Sequence, residues 1–116
     1  SDVEFTKRLF RKATVNHVQY REIVDEYTKN WDVDRIAYMD ILILVEAIAE
    51  LIDFKDIPVN ITLNEYIDIA KYYSTPNSSV FINGVLDKIV KDLTEKKVIE
   101  KKGLGLIDPL SIIPEE

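Results

Sequence analysis

The sequence predicts an all-α domain: a helical bundle of about five helices around one central apolar helix, followed by a short irregular C-terminal tail. Three observations lead there. Residues 36–54 read I-A-Y-M-D-I-L-I-L-V-E-A-I-A-E-L-I-D-F, interrupted only by Asp40, Glu46, Glu50 and Asp53. Apolar residues elsewhere recur three and four apart, the spacing of one helix face. Glycine and proline are scarce, 3 and 4 in the chain, and fall mostly outside the periodic segments. Residues 1–96 form the helical domain in this reading, and residues 97–116 the tail packed on it.

The first helix is expected over residues 3–15, with Asp2 as N-cap and Glu4 favourable in the first turn. Phe5, Leu9 and Ala13 make its apolar stripe, with Phe10 beside it. Lys7, Arg8, Arg11 and Lys12 share a sector of about 140° on the same helix. That sector is either a solvated basic face or a patch that contacts phosphates. Asn16 opens the second helix, with Gln19 completing a capping box. Val18, Tyr20, Ile23, Val24 and Tyr27 supply its buried face. His17, in the first turn, has no nucleophile or carboxylate placed by any motif and reads as an exposed or capping residue.

Asn30-Trp31-Asp32 is a break. Asp32 caps the central helix, Asp34 adds a favourable charge there, and Trp31 anchors beneath it. Arg35 and Asp40 read as a surface pair or as solvated residues. Residues 36–54 are apolar around most of the helix girth, as a helix wrapped by others must be. Two glutamates in its second half argue against a membrane span. At about 100° per residue, Glu46, Glu50 and Asp53 fall within roughly 60° of one another. Glu50 is suited to a neighbouring backbone or side-chain donor.

Lys55-Asp56-Ile57-Pro58 is a connector, since proline disfavours helix at Ile57. Val59-Asn60-Ile61 reads as a short extended crossing. Thr62-Leu63-Asn64-Glu65 then reads as a capping box opening the next helix. Leu63, Tyr66, Ile67, Ala70 and Tyr73 form its inward face. Pro76 stops that helix within Ser74-Thr75-Pro76-Asn77-Ser78, and Asn77 or Ser78 caps the last one. The last helix is expected from about Ser79 to Lys96, with Ile82, Val85, Leu86, Ile89 and Leu93 as its core stripe and Val80 and Phe81 flanking. Gly84 inside it costs about 1 kcal/mol against alanine and is expected to permit a close helix approach. Asn83 reads as a structural hydrogen-bonding residue. The tail is expected to fold back through Leu104, Leu106 and Ile107.

Composition narrows the chemistry. A chain of 116 residues makes one domain. There is no cysteine, which excludes disulfides and thiolate metal sites, and the single histidine excludes a two-histidine site. No metal and no cofactor are expected. The net charge of −6 argues mildly against nucleic-acid binding through the bulk field. No signal peptide or membrane span is recognised, and a cytoplasmic location is expected. Paired carboxylates such as Glu46 and Glu50 could in principle serve as acid and base. Nothing assembles around them, so an enzyme is not expected.

Taken in order, several pieces resemble one family. They are Asn30-Trp31 through Arg35, the spacing from Glu50-Leu51 to Asn64-Glu65, Ile61-Thr62-Leu63-Asn64-Glu65, Ala70-Lys71, Ser78, and Phe81-Ile82-Asn83-Gly84-Val85-Leu86-Asp87. This ordered set resembles the C-terminal half of the NusB family of bacterial transcription antitermination factors. The resemblance implies an all-α fold, no enzymatic activity, and pairing with the small-subunit ribosomal protein that doubles as NusE. It implies binding of boxA RNA in ribosomal RNA transcripts, within the RNA polymerase antitermination complex. It carries RNA contact onto Asn77, Ser78 and Phe81, with Phe81 stacking on a base or ribose. It carries partner contact onto Asp40, with Asp34 a neighbouring candidate. Asn83 and Gly84 carry over as structural.

Three departures qualify those implications. The arginine-rich N-terminal helix of the family has no counterpart ahead of Ser1-Asp2-Val3, so the chain reads as a fragment of a longer protein. Val45 and Val80 stand where the family often has basic residues. All three weaken RNA binding by this piece more than protein pairing. An apolar patch left by the missing half would favour a homodimer. Two other functions fit the same resemblance: the NusB-like domain of a ribosomal RNA cytosine methyltransferase, and a protein-interaction bundle without RNA contact.

Overall fold

The computed structural model describes residues 17–30, 38–73 and 75–106. Among these residues all regular structure is helical: α1 (His17–Tyr27), α2 (Tyr38–Asp53), α3 (Val59–Tyr73), α4 (Pro76–Glu95) and a 3-10 turn at Gly103–Leu106. The expected helix over residues 3–15 and the break at Trp31 and Asp32 lie outside the described residues.

α2 packs against α1, α3 and α4. Leu44, Ala47, Ile48, Ala49 and Leu51 have no exposed surface. Each large side chain so buried contributes about 1.5–3 kcal/mol relative to exposure. The central position of α2 therefore follows from its composition. Tyr20 and Val24 of α1, Tyr66 and Ala70 of α3, and Ile82, Val85, Leu86, Ile89 and Leu93 of α4 close over it. Two residues assigned inward by periodicity are not: Val18 is 71% exposed and Tyr73 65%. Both sit at helix ends, where no other described helix covers the stripe.

The carboxylates of α2 are used inside the bundle. The Glu50 side chain is fully buried, and Thr62 Oγ1 donates to its Oε1 at 2.8 Å. Asp53 accepts a hydrogen bond from the Tyr20 hydroxyl. At the end of α2, Phe54 N–H still bonds the Glu50 carbonyl (3.2 Å).

α3 begins at Val59, not at Thr62. The Pro58 carbonyl accepts from Ile61 N–H (3.1 Å) and Thr62 N–H (3.3 Å), so the expected extended crossing at residues 59–61 is the first turn of the helix. Proline suits a helix start because its missing N–H has no helical partner to lose there. Thr62 is consequently not a cap. Its hydroxyl is held by Glu50.

α4 also begins earlier than expected. Thr75 is the N-cap, with φ −73° and ψ 161°, and its Oγ1 accepts from Ser78 N–H at 3.2 Å. Pro76 is the first helical residue, and neither Asn77 nor Ser78 caps. The helix ends at Glu95 in a Schellman arrangement: Lys97 N–H bonds Thr94 O (3.1 Å), Val98 N–H bonds Leu93 O (2.9 Å), and Lys97 has φ +61°. Gly84 faces open space, with nothing within 4 Å of a Cβ built on it, so the expected close helix approach is absent. Asn83 and Gly84 both lie on the exposed side of α4.

The chain after α4 returns over the α2–α3 connector. Ile99 is buried, Lys102 N–H bonds Lys55 O (3.0 Å), and Lys101 Nζ donates to Phe54 O (2.8 Å) and Glu50 O (3.4 Å). Burial lowers the Lys101 pKa, opposed by the nearby Glu50 charge. Leu104 and Leu106 are 69% and 73% exposed, so they are not the anchors expected from the sequence. Ile107 lies outside the described residues.

Candidate nucleic-acid interface

The α3–α4 corner carries three of the residues singled out from the sequence. Asn77 and Ser78 occupy the first turn of α4, held there by the Thr75 cap and by Ser79 Oγ donating to Pro76 O at 3.0 Å. Asn77 is exposed and Ser78 half-buried. The Ser78 and Thr75 hydroxyls lie 3.2 Å apart. The first turn of α4 has no acidic residue, so the positive end of the helix dipole is not offset there.

Phe81, one turn on, is packed into the bundle. It is 8% exposed and belongs to the apolar core, so its ring fastens the start of α4 to the bundle and has little surface left for a base. Two aromatics stand in the open at the same corner: Tyr72, which the spacing did not single out, and Tyr73, which it assigned inward. Tyr72 is 83% exposed and Tyr73 65%, with ring centroids 5.1 Å apart and planes tilted by 58°. Where the bundle ends, and not the helical spacing, leaves both rings exposed.

The polar residues assigned to a protein partner fall elsewhere. Asp40 sits in the first turn of α2, where its charge suits the helix N-terminus, and is 3% exposed. Asp34 lies outside the described residues. Asn77, Ser78 and Phe81 are thus brought together on α4, and Asp40 belongs to a different helix start.

Glu46, Glu50, Glu65 and Tyr66 form the other concentration of titratable groups. Burial raises the Glu46 carboxyl, and burial together with the Glu50 charge raises that of Glu65. Burial, then the Glu50, Glu65 and Glu46 charges, pushes the Tyr66 hydroxyl well above the ordinary phenol range. A cavity of about 270 Å³ between Pro58, Asn60, Thr94, Ile99 and Lys101 touches none of the three glutamates. Among the described residues no group of three His, Cys, Asp or Glu side chains is placed to hold a metal ion. No described helix is long and apolar enough to cross a membrane.

The family model described as "NusB family" matches residues 1–91. A transcription antitermination protein NusB from Salinibacter ruber is 39% identical over 104 residues, 90% of this chain and 65% of the relative. One from Chloroherpeton thalassium is 40% identical, over 73% of this chain and 40% of the relative. One from Methylacidiphilum infernorum is 38% identical, over 82% of this chain and 66% of the relative. Among solved structures, T. maritima NusB superposes with a TM-score of 0.73 at 36% identity, covering 82% of this chain and 67% of that one. The chain therefore spans about two thirds or less of the length of the curated relatives it matches.

Proposed function

The chain belongs to the NusB family, and from that premise we propose that it acts in transcription antitermination, as a binding module and not as a catalyst. Its ligand in this reading is boxA-type RNA of ribosomal RNA transcripts, taken up together with the NusE-type ribosomal protein. The setting is the RNA polymerase antitermination complex in the bacterial cytoplasm. The observation that supports this best is the family match over residues 1–91, with curated relatives named as antitermination proteins.

The α3–α4 corner fits the RNA part. Asn77 offers an exposed amide, and Ser78 a hydroxyl, to phosphate or base edges. Phe81 supports the reading indirectly, by fixing the helix turn that presents them. Fluorescence anisotropy of a labelled boxA-type RNA, titrated with the chain at two salt concentrations, with and without the NusE-type protein, tests the proposal. Binding that needs or gains from the partner and weakens with salt is expected. No RNA binding in either condition overturns it.

The net charge of −6 favours a second reading, in which this chain is mainly the protein-pairing scaffold. Partner binding unchanged by RNA would select it.

A further inference from the structure

We infer that Tyr72 and Tyr73 form a base-stacking platform for single-stranded RNA at the α3–α4 corner. This rests on the RNA-binding reading above and adds to it the groups that receive the bases.

Two exposed tyrosines in contact with each other are the first observation. At 83% and 65% exposure, with ring centroids 5.1 Å apart, they leave aromatic surface open to a flat partner. Base stacking on tyrosine needs an accessible face and tolerates any base, because every base has a π-face. Phe81, buried to 8% exposure, cannot offer one without leaving the core.

Charge is the second observation. The chain carries 21 acidic residues, yet none lies between Asp68 and Asp87, the stretch that holds the end of α3, the corner and the first half of α4. Lys71 is exposed one residue before the tyrosine pair. In an acidic protein this stretch brings no carboxylate of its own to the corner, and the nearest before it on α3 is the exposed Asp68, one turn ahead of Tyr72. Only Ser74 and Thr75 separate Tyr73 from Pro76, so the rings lie within a few residues' reach of Asn77 and Ser78. A base on the rings would leave its phosphate within range of those hydroxyl and amide groups. The exposed Lys71 beside the rings, with the amide of Asn77 and the hydroxyl of Ser78 beyond them, suits a polyanion carrying flat bases better than an apolar protein surface, so RNA is the occupant.

The test uses the full chain and a labelled boxA-type RNA, with the NusE-type protein present. Tyr72→Ala and Tyr73→Ala are expected to weaken RNA binding about tenfold each, and the phenylalanine variants to bind like the parent. The dependence of affinity on salt is expected to stay unchanged in the alanine variants, since stacking releases no counterions. An RNA carrying abasic sites should bind the parent more weakly but the alanine variants no differently. Both tyrosines are exposed, and a helical circular dichroism spectrum confirms that the variants fold. Alanine variants that bind RNA like the parent overturn the inference and leave the RNA-binding reading standing, whatever happens to a protein partner. Absence of RNA binding by the parent overturns both.

Discussion

Thr62 donates its hydroxyl hydrogen to Glu50 Oε1 at 2.8 Å, between two side chains with no exposed surface. The bond ties α3 to α2 at the point where a carboxylate sits inside the core. It explains a threonine within the helix, where its β-branch and hydroxyl give no intrinsic advantage.

Removing the hydroxyl while keeping the shape isolates this bond. Thr62→Val should destabilise the chain by about 1–3 kcal/mol, because a buried acceptor loses its donor. In a Glu50→Met background the same substitution should cost little, since the acceptor is gone. Urea denaturation of the four proteins of this cycle gives the coupling. An equal cost of Thr62→Val in both backgrounds would show that the bond contributes nothing.

Glu46 makes stability depend on pH in an uncommon direction. Burial raises its carboxyl above the ordinary value of 4.5. Between the unfolded and folded values the native state binds more protons than the unfolded chain, so stability falls as pH rises through that window. The contribution is full below 4.5 and lost above the raised folded value. Glu65 is raised in the same sense and adds to it. Glu46→Gln, which cannot ionise, should therefore stabilise the chain at about pH 7.5 and make little difference at about pH 4. Denaturant midpoints at the two pH values check this, and a stabilisation equal at both would contradict the assignment to ionisation.

Lys97 closes the Schellman end of α4 at φ +61°, a conformation in which a side chain costs about 1 kcal/mol relative to glycine. Lys97→Gly should raise stability by about 0.5–1 kcal/mol, less whatever the more flexible unfolded chain takes back. Thermal unfolding should show a midpoint a few degrees higher. Lys97→Val should lower it, since a β-branched residue fits that region least.

Much of this architecture was legible because the signal was periodic. The apolar girth of residues 36–54 leads directly to α2 at the centre, and the stripe Ile82, Val85, Leu86, Ile89 and Leu93 is the buried face of α4. Local chemistry was less informative at helix starts. Thr62 and Glu65 have the spacing of a capping box, but the same threonine serves the core, and only the placement of Glu50 across from it decides. Pro76 reads equally as the stop of one helix and the first residue of the next, and the Thr75 cap selects the second. At the candidate site, Asn77 and Ser78 were found through resemblance, and the structure puts them on the first turn of α4. Phe81 takes a stacking role by resemblance, whereas at 8% exposure its ring is mostly taken up by the core. Exposure of Tyr72 and Tyr73 depends on where the bundle ends, which periodicity does not encode.

The two glycines of the tail separate two reasons for having no side chain. Gly103 has φ +56° and open space around it, whereas a Cβ on Gly105 would lie 1.9 Å from the Lys55 carbonyl oxygen. That oxygen is the one that accepts from Lys102 N–H and holds the tail to the α2–α3 connector. At Gly103 the demand is for a left-handed backbone, which asparagine meets nearly as well. At Gly105 the demand is for space, which no other residue meets without moving backbone. Gly103→Asn should therefore cost under about 1 kcal/mol. Gly105→Ala should cost about 1–3 kcal/mol, as overpacking does. It should also release the Lys102 amide to fast hydrogen exchange while amides of α2 keep their order of protection. If Gly105→Ala left Lys102 as protected as in the parent, the tail would be held by Ile99 and Lys101 alone, and the close approach at Lys55 would not be what fixes it.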